Sequence, residues 1–232
     1  MKLFIIQLMF LMAWGCLAVA GCDDDSDSGP GDDVVVEDFT PEEITHDGIT
    51  YRSMISLHTG KIWLDRNLGA RRACTSFDDA QCYGDYYQWG READGHEKSS
   101  SALSYTQATD TTNVGSDFIA VISNWTSADS DGSIREANWN PCPAGYKVPA
   151  FADLTDEFIQ NRDDAFDRLK LPSAGIRENS GGTILQEGTH GHVWSSTPSD
   201  DPFSRGILFS LEENKLTFSV RAEGQSVRCL QK

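Results

Sequence analysis

The chain has 232 residues, 36 of them acidic against 19 basic, and a formal net charge of −17. A field of that sign repels phosphate backbones and anionic headgroups, which excludes nucleic acid as a natural partner and otherwise means a solubilising surface. With 39% hydrophobic residues, the length suits one loop-rich globular domain with enough chain to bury a core.

Lys2 supplies a positive start, Leu3 to Ala13 an apolar run of signal-peptide size, and Val19-Ala20-Gly21 the small residues that a peptidase needs. Cys22 follows at once, so residues 1–21 read as a lipoprotein signal and Cys22 as the lipidated first residue of the mature chain. Lys2 is the only charged residue removed, which takes the mature charge to −18. Several acyl chains, at about 0.8 kcal/mol per buried methylene, hold such a protein stably on a bilayer. The alternative is an uncleaved anchor, because counting Trp14 to Ala20 brings the run near the length of a spanning helix. Cys16 lacks small neighbours and is a passenger. Residues 22–41 are acidic and poor in large apolar side chains, apart from Val34-Val35-Val36, and read as a disordered tether. The folded module is expected over residues 42–232.

Ile49 to Ile55 has the β-branched and aromatic content of a strand, bounded by Asp47-Gly48 and His58-Thr59-Gly60, and Lys61 to Leu64 resumes it as an early hairpin. Between Gly95 and Asn138 lies a Ser-, Thr-, Asp- and Gly-rich stretch, far longer than an ordinary loop, of the kind that carries function. Phe151, Leu154, Phe158 and Ile159 share one helical face, and Phe166 and Leu169 suggest a second, shorter helical turn. Gly206 to Leu211 and Leu216 to Val220 flank the polar turn Glu212 to Lys215, a second hairpin, and Ser226 to Leu230 reads as a final strand.

Four cysteines fall in the module: Cys74, Cys82, Cys142 and Cys229. An even number in an exported chain reads as disulfides, with three connectivities open. Spacing favours Cys74 with Cys82, leaving Cys142 for Cys229. Loop closure would then contribute roughly 2.5 and 4.5 kcal/mol.

Seven blocks occur in order: Gly60-Lys61-Ile62-Trp63-Leu64-Asp65-Arg66-Asn67-Leu68-Gly69-Ala70, Tyr83-Gly84-Asp85-Tyr86-Tyr87-Gln88-Trp89-Gly90-Arg91, Asn140 to Pro149, Leu171-Pro172-Ser173-Ala174-Gly175-Ile176-Arg177, Trp194-Ser195-Ser196-Thr197, Ser219-Val220-Arg221 and Ser226-Val227-Arg228-Cys229. Together they resemble the Fibrobacter succinogenes major paralogous domain, a family of exported bacterial modules often carried on lipoproteins, over about residues 48 to 231. The resemblance implies an α+β fold, C-type lectin-like and similar to formylglycine-generating enzymes, with short antiparallel strands, one or two helices and long loops. It brings no established reaction, and the catalytic cysteine pair of those enzymes has no counterpart beside the single Cys229. It also supports the Cys142 to Cys229 pairing, while Cys74 and Cys82 look like a local addition. Relatives follow the Val-Pro block with Thr-x-x-Glu; Ala150 and Asp153 stand there instead, so the helix lacks a side-chain cap, a loss of about 1 kcal/mol.

Chemistry-bearing motifs are sparse. His190-Gly191-His192 suggests no third metal ligand, and His96-Glu97 is not followed by a histidine at zincin spacing. Ser127 to Gly132 has a faint likeness to a calcium loop, with Asn138 where a bidentate Glu belongs, so calcium stays open as the one conceivable cofactor. Trp89, Trp125 and Trp194 are the candidate ligand-binding aromatics, weighed against the commoner role of such residues as core. The expectation is therefore a non-catalytic, lipid-anchored envelope protein, facing the periplasm or, preferably, the cell surface, that binds carbohydrate or another envelope protein. A polysaccharide hydrolase, which would need an Asp/Glu pair converging in a cleft, and a purely structural module are the alternatives.

Overall fold

A computed structural model describes residues 39–232, without the side chains of Ile134 and Ala137. The signal, Cys22 and nearly all of the tether lie outside the described residues. In chain order the strands are β1 (Glu43–His46), β2 (Ile49–Ile55), β3 (Ile62–Leu64), β4 (Tyr87–Gln88), β5 (Leu103–Ser104), β6 (Phe118–Ile119), β7 (Tyr146–Lys147), β8 (Ile176–Arg177), β9 (Ile184–Leu185), β10 (Gly191–Pro198), β11 (Phe203–Phe209), β12 (Asn214–Val220), β13 (Gly224–Gln225) and β14 (Leu230–Gln231). Three short helices join them: α1 (Ser133–Asn138), α2 (Phe151–Thr155) and α3 (Arg162–Leu169). The fold is α+β, loop-rich and mainly antiparallel, as expected, with one helix more than the one or two anticipated.

Four small sheets result, in the orders β1-β2-β3-β14-β7, β10-β11-β12, β4-β13-β8-β9 and β5-β6; only the last is a parallel pair. β2 and β3 form the early hairpin, with Met54 opposite Trp63. β1 is a strand that the sequence reading passed over. Asp47 and Gly48 both take positive φ (48° and 75°), the two-residue turn that Asp-Gly favours between paired strands. β11 and β12 form the second hairpin, and β10 completes their sheet. The expected last strand is interrupted: Ser226 to Cys229 runs between β13 and β14, and only Leu230 and Gln231 pair as strand.

The helical run after Ala150 is also shorter than its periodicity suggests. α2 stops at Thr155, Phe158 turns out to solvent with φ of 52°, and Glu157 turns inward instead. Its buried carboxylate accepts from the Ser56 and Thr59 hydroxyls, each at 2.5 Å, and from the Trp63 indole at 3.0 Å. Three donors on one carboxylate outweigh about one more turn of helix. The missing cap of α2 is supplied from elsewhere: Thr197 in β10 accepts the Phe151 N–H at 3.0 Å, and Asp153 accepts that of Ala150 at 3.0 Å. α3, at eight residues, is the best formed, with Asn161 accepting from Asp163 and Asp164 N–H and two acids in its first turn.

One core cluster gathers Tyr51, Leu64, Trp89, Trp139, Trp194 and Val227 around Cys142 and Cys229; a second packs Leu154, Leu169 and Leu171 against Trp63, Ile207 and Phe209, and a small third joins Ile119, Trp125 and Ala222. Both disulfides form in the favoured pairing, Cys74–Cys82 and Cys142–Cys229, with Cα separations of 5.1 and 5.9 Å. Much of the remaining chain is irregular. Its carbonyls are met by arginines: Arg91, Arg135, Arg177, Arg221 and Arg228 are each at most 2% exposed.

Candidate functional site

The three tryptophans expected at a ligand surface are interior. Trp89, Trp125 and Trp194 are each 0% exposed, and their indole N–H groups donate at 2.8 Å to the backbone carbonyls of Ser195, Trp89 and Tyr87. Arg135 lies over both Trp89 and Trp125 at 5.3 Å, with Arg221 over Trp89 and Arg91 over Trp125. Their polar edges are satisfied and their faces covered, so they serve packing and not a sugar shelf. Trp63 and Trp139, with Tyr83, Tyr86 and Tyr87, are buried too. Of the tyrosines and tryptophans among the described residues, Tyr105 alone is exposed, at 68%.

Metal-binding geometry is met once among the described residues, by Asp94, His96 and Glu97. The tautomer of His96 argues against a ligand role. Its Nε2 accepts the Gln88 N–H at 3.0 Å, so the ring hydrogen sits on Nδ1, which donates to Asp94 at 2.8 Å; neither nitrogen keeps a lone pair for a metal. Burial pulls His96 down to about 4, against the opposing pull of Asp94, and keeps it neutral. His192 is likewise driven to about 4 by burial and bonds Gln186 through Nε2, while His190 faces Thr189. In the faint calcium loop, Asp129 turns its carboxylate onto the backbone N–H and Nε of Arg135 (2.8 and 3.1 Å), and Asp131 receives the N–H and hydroxyl of Ser133. The acids of that loop are engaged by the protein itself.

Of the depressions among the described residues, two reach about 400 Å³. A groove of about 420 Å³ runs along the irregular stretch, lined by Ser104, Thr106, Gln107, Thr109, Ser116 and Asp117 among others. That is within the range of small-ligand sites. Tyr105 is not itself part of the lining but falls in the chain between two lining residues, Ser104 and Thr106. The side chains of Thr106, Thr109, Ser116 and Asp117 make no hydrogen bond among the described residues, so their polar atoms are available to a ligand. The walls are nevertheless fixed. Arg91 donates to Gly115 O at 2.6 Å and to Asp117 O at 3.0 Å, Gln107 donates to Asn124 O at 2.8 Å, and Phe118 and Ala120 N–H bond the Ala102 and Ser104 carbonyls.

The second depression, about 400 Å³, is polar and lined by Gly69, Arg71, Gln81, Gly84, Asp85 and Lys98 among others. Lys98 reaches Asp85 at 2.7 Å and Glu97 at 3.3 Å. Burial raises Asp85 above the usual carboxylate range and Lys98 offsets this only in part; for Lys98 itself, burial is outweighed by the two carboxylates and its value rises. The shifts pull apart, one speaking against an ionised pair and one for it, and the 2.7 Å contact decides for a charged pair with a stressed acid. Gly69 is required here: at φ of 78°, a Cβ would come within 2.0 Å of Asp85 Oδ2.

Sequence reading missed Tyr105, Asp85 and Lys98. The signal for Tyr105 was its place inside the Ser- and Thr-rich stretch; nothing local marked the other two. Comparison with protein-family models, with curated proteins and with solved structures finds no match for this chain.

Proposed function

We propose that the chain is a lipid-anchored cell-envelope protein whose non-catalytic, lectin-like domain binds a saccharide in the groove beside Tyr105. The carrying observation is a groove of unspent hydroxyl and carboxylate groups, with the exposed Tyr105 lying in the chain between its lining residues Ser104 and Thr106. A flat ring takes the apolar face of a pyranose, and hydroxyl, amide and carboxylate groups take its hydroxyls. Support for the lectin-like assignment comes from the resemblance of the seven sequence blocks, together with short antiparallel strands, long loops and the Cys142–Cys229 disulfide. Support for the anchor comes from Val19-Ala20-Gly21-Cys22 alone.

For a hydrolase reading, Asp131, Asp200 and Asp201 line a smaller depression of about 260 Å³, but Asp131 is held by Ser133 and Asp201 by Asn124 and Arg221. Asp85 and Glu97 converge on a single ammonium beside the polar cleft. Glu97 is only 3% exposed, spends one oxygen on the Gly95 N–H at 2.8 Å, and does not line the cleft, which leaves one carboxylate facing it where two are needed. Binding is therefore placed first.

The test is a screen of the full-length chain against cell-wall and plant polysaccharides, with and without calcium. Tyr105→Ala is expected to weaken whatever binding is found by roughly tenfold or more, the worth of one stacked ring. No binding to any polysaccharide would remove the proposal. For the anchor, Cys22→Ser is expected to abolish metabolic lipid labelling, and persistence of the label would show that another residue carries it.

A further inference from the structure

The cleft beside Asp85 holds chemistry that the groove does not use. Two cations line it, and both have donors to spare. An ammonium has three hydrogens; Lys98 spends one on Asp85 and one on Glu97. Arg71 is fixed through its backbone, its N–H bonding Gln81 O at 3.2 Å and its carbonyl accepting from Arg66 at 3.3 Å, while its guanidinium has no partner among the described residues. Asp85 is the only acid in the lining and is already paired. In a chain of net charge −17, a lining with two cations to one paired acid runs against the overall field. The walls are rigid as well. The Cys74–Cys82 disulfide and the 2.6 Å pair of Arg72 with Asp79 brace the loop that carries Arg71 and Gln81. The facing wall is bare backbone at Gly69 and Gly84, where a side chain would collide with Asp85 or with Leu68 O.

We infer that this cleft is a second binding site, specific for the carboxylate of a hydroxylated acid such as a uronic-acid sugar. The planar fork of Arg71 accepts a carboxylate through two parallel N–H···O bonds, and Lys98 adds a point charge beside it. Gln81 and Ser99, whose side chains make no hydrogen bond among the described residues, line the same cleft and suit sugar hydroxyls. A phosphate dianion fits the fork equally, but it brings twice the charge towards Asp85 and Glu97 behind Lys98, so a monoanion is favoured.

Calorimetric titration of the full-length chain with trigalacturonate, with neutral galactotriose and with inorganic phosphate tests this. Trigalacturonate is expected to bind in preference to the other two, and Arg71→Gln to weaken it roughly tenfold. Because the Arg71 head bonds nothing, the variant should keep the wild-type unfolding midpoint, which separates lost binding from lost fold. Equal affinity of wild type and Arg71→Gln for trigalacturonate would overturn the inference, as would absent binding, or phosphate or galactotriose bound as tightly as trigalacturonate. Polysaccharide binding in the groove is read separately through Tyr105→Ala, so failure here leaves that reading standing.

Discussion

Arg177 donates to the carbonyls of His96, Lys98, Ser101 and Gly182, and Arg221 to those of Phe203, Ser130, Asp131 and Ser199. Neither bond set belongs to a helix or a sheet. A guanidinium carries five N–H donors in a rigid fork, so one residue can tie several irregular strands of backbone that would otherwise bury unpaired carbonyls. The cost is desolvation: burial pulls Arg228 down to about 9 and Arg135 to about 10. Buried histidines carry the same kind of cost, and theirs falls within the working pH range. In the unfolded chain their ring protonates near 6.5, whereas His96 and His192 resist until about 4 in the fold. Their contribution to stability is therefore complete above pH 6.5 and is lost as pH falls towards 4. Asp85 and Glu223, both raised by burial, act in the reverse sense, so the clean comparison is between variants. Between pH 6 and 4.5, wild type should lose about 1.1 kcal/mol more per pH unit than His192→Gln in urea unfolding. Parallel curves would mean that His192 is not held neutral.

At the level of elements, what the sequence disclosed followed the reach of local signals. The two hairpins were legible because β-branched runs flank polar turns, and the two disulfides because spacing and block order left few choices. β1 escaped, although Asp47-Gly48 is a strong hairpin dipeptide, because Glu43 to His46 is too polar to read as a strand alone. α2 was overdrawn. Phe151, Leu154, Phe158 and Ile159 keep helical spacing, but the pull of Ser56, Thr59 and Trp63 on Glu157 ends the helix before the pattern does. Such a contact joins residues about a hundred positions apart, beyond any periodicity argument. Its cap shows the same limitation: Ala150 offers no acceptor, and the substitute, Thr197, lies 46 positions on. A side-chain cap is worth about 1 kcal/mol, so the helix depends on β10 as much as on its own sequence.

Across the whole molecule, the candidate site was the least legible part. The tryptophans drew attention as large amphipathic rings, but their composition cannot say which face points out, and every one among the described residues went to the core. The length of the irregular stretch marks it as unusual, yet its shape depends on Arg91, which precedes it in the chain and donates to Gly115 and Asp117 within it. A groove whose walls are held in this way is preorganised, which lowers the entropic cost of binding. A buried guanidinium, and not regular secondary structure, shapes the groove. The most direct test is amide hydrogen exchange of the full-length chain carrying Arg91→Met. The account predicts that Phe118 and Ile119, whose N–H groups bond Ala102 O and the Gln88 side chain beside Arg91, lose protection while β10 to β12 keep theirs. Unchanged protection at Phe118 and Ile119 would contradict it.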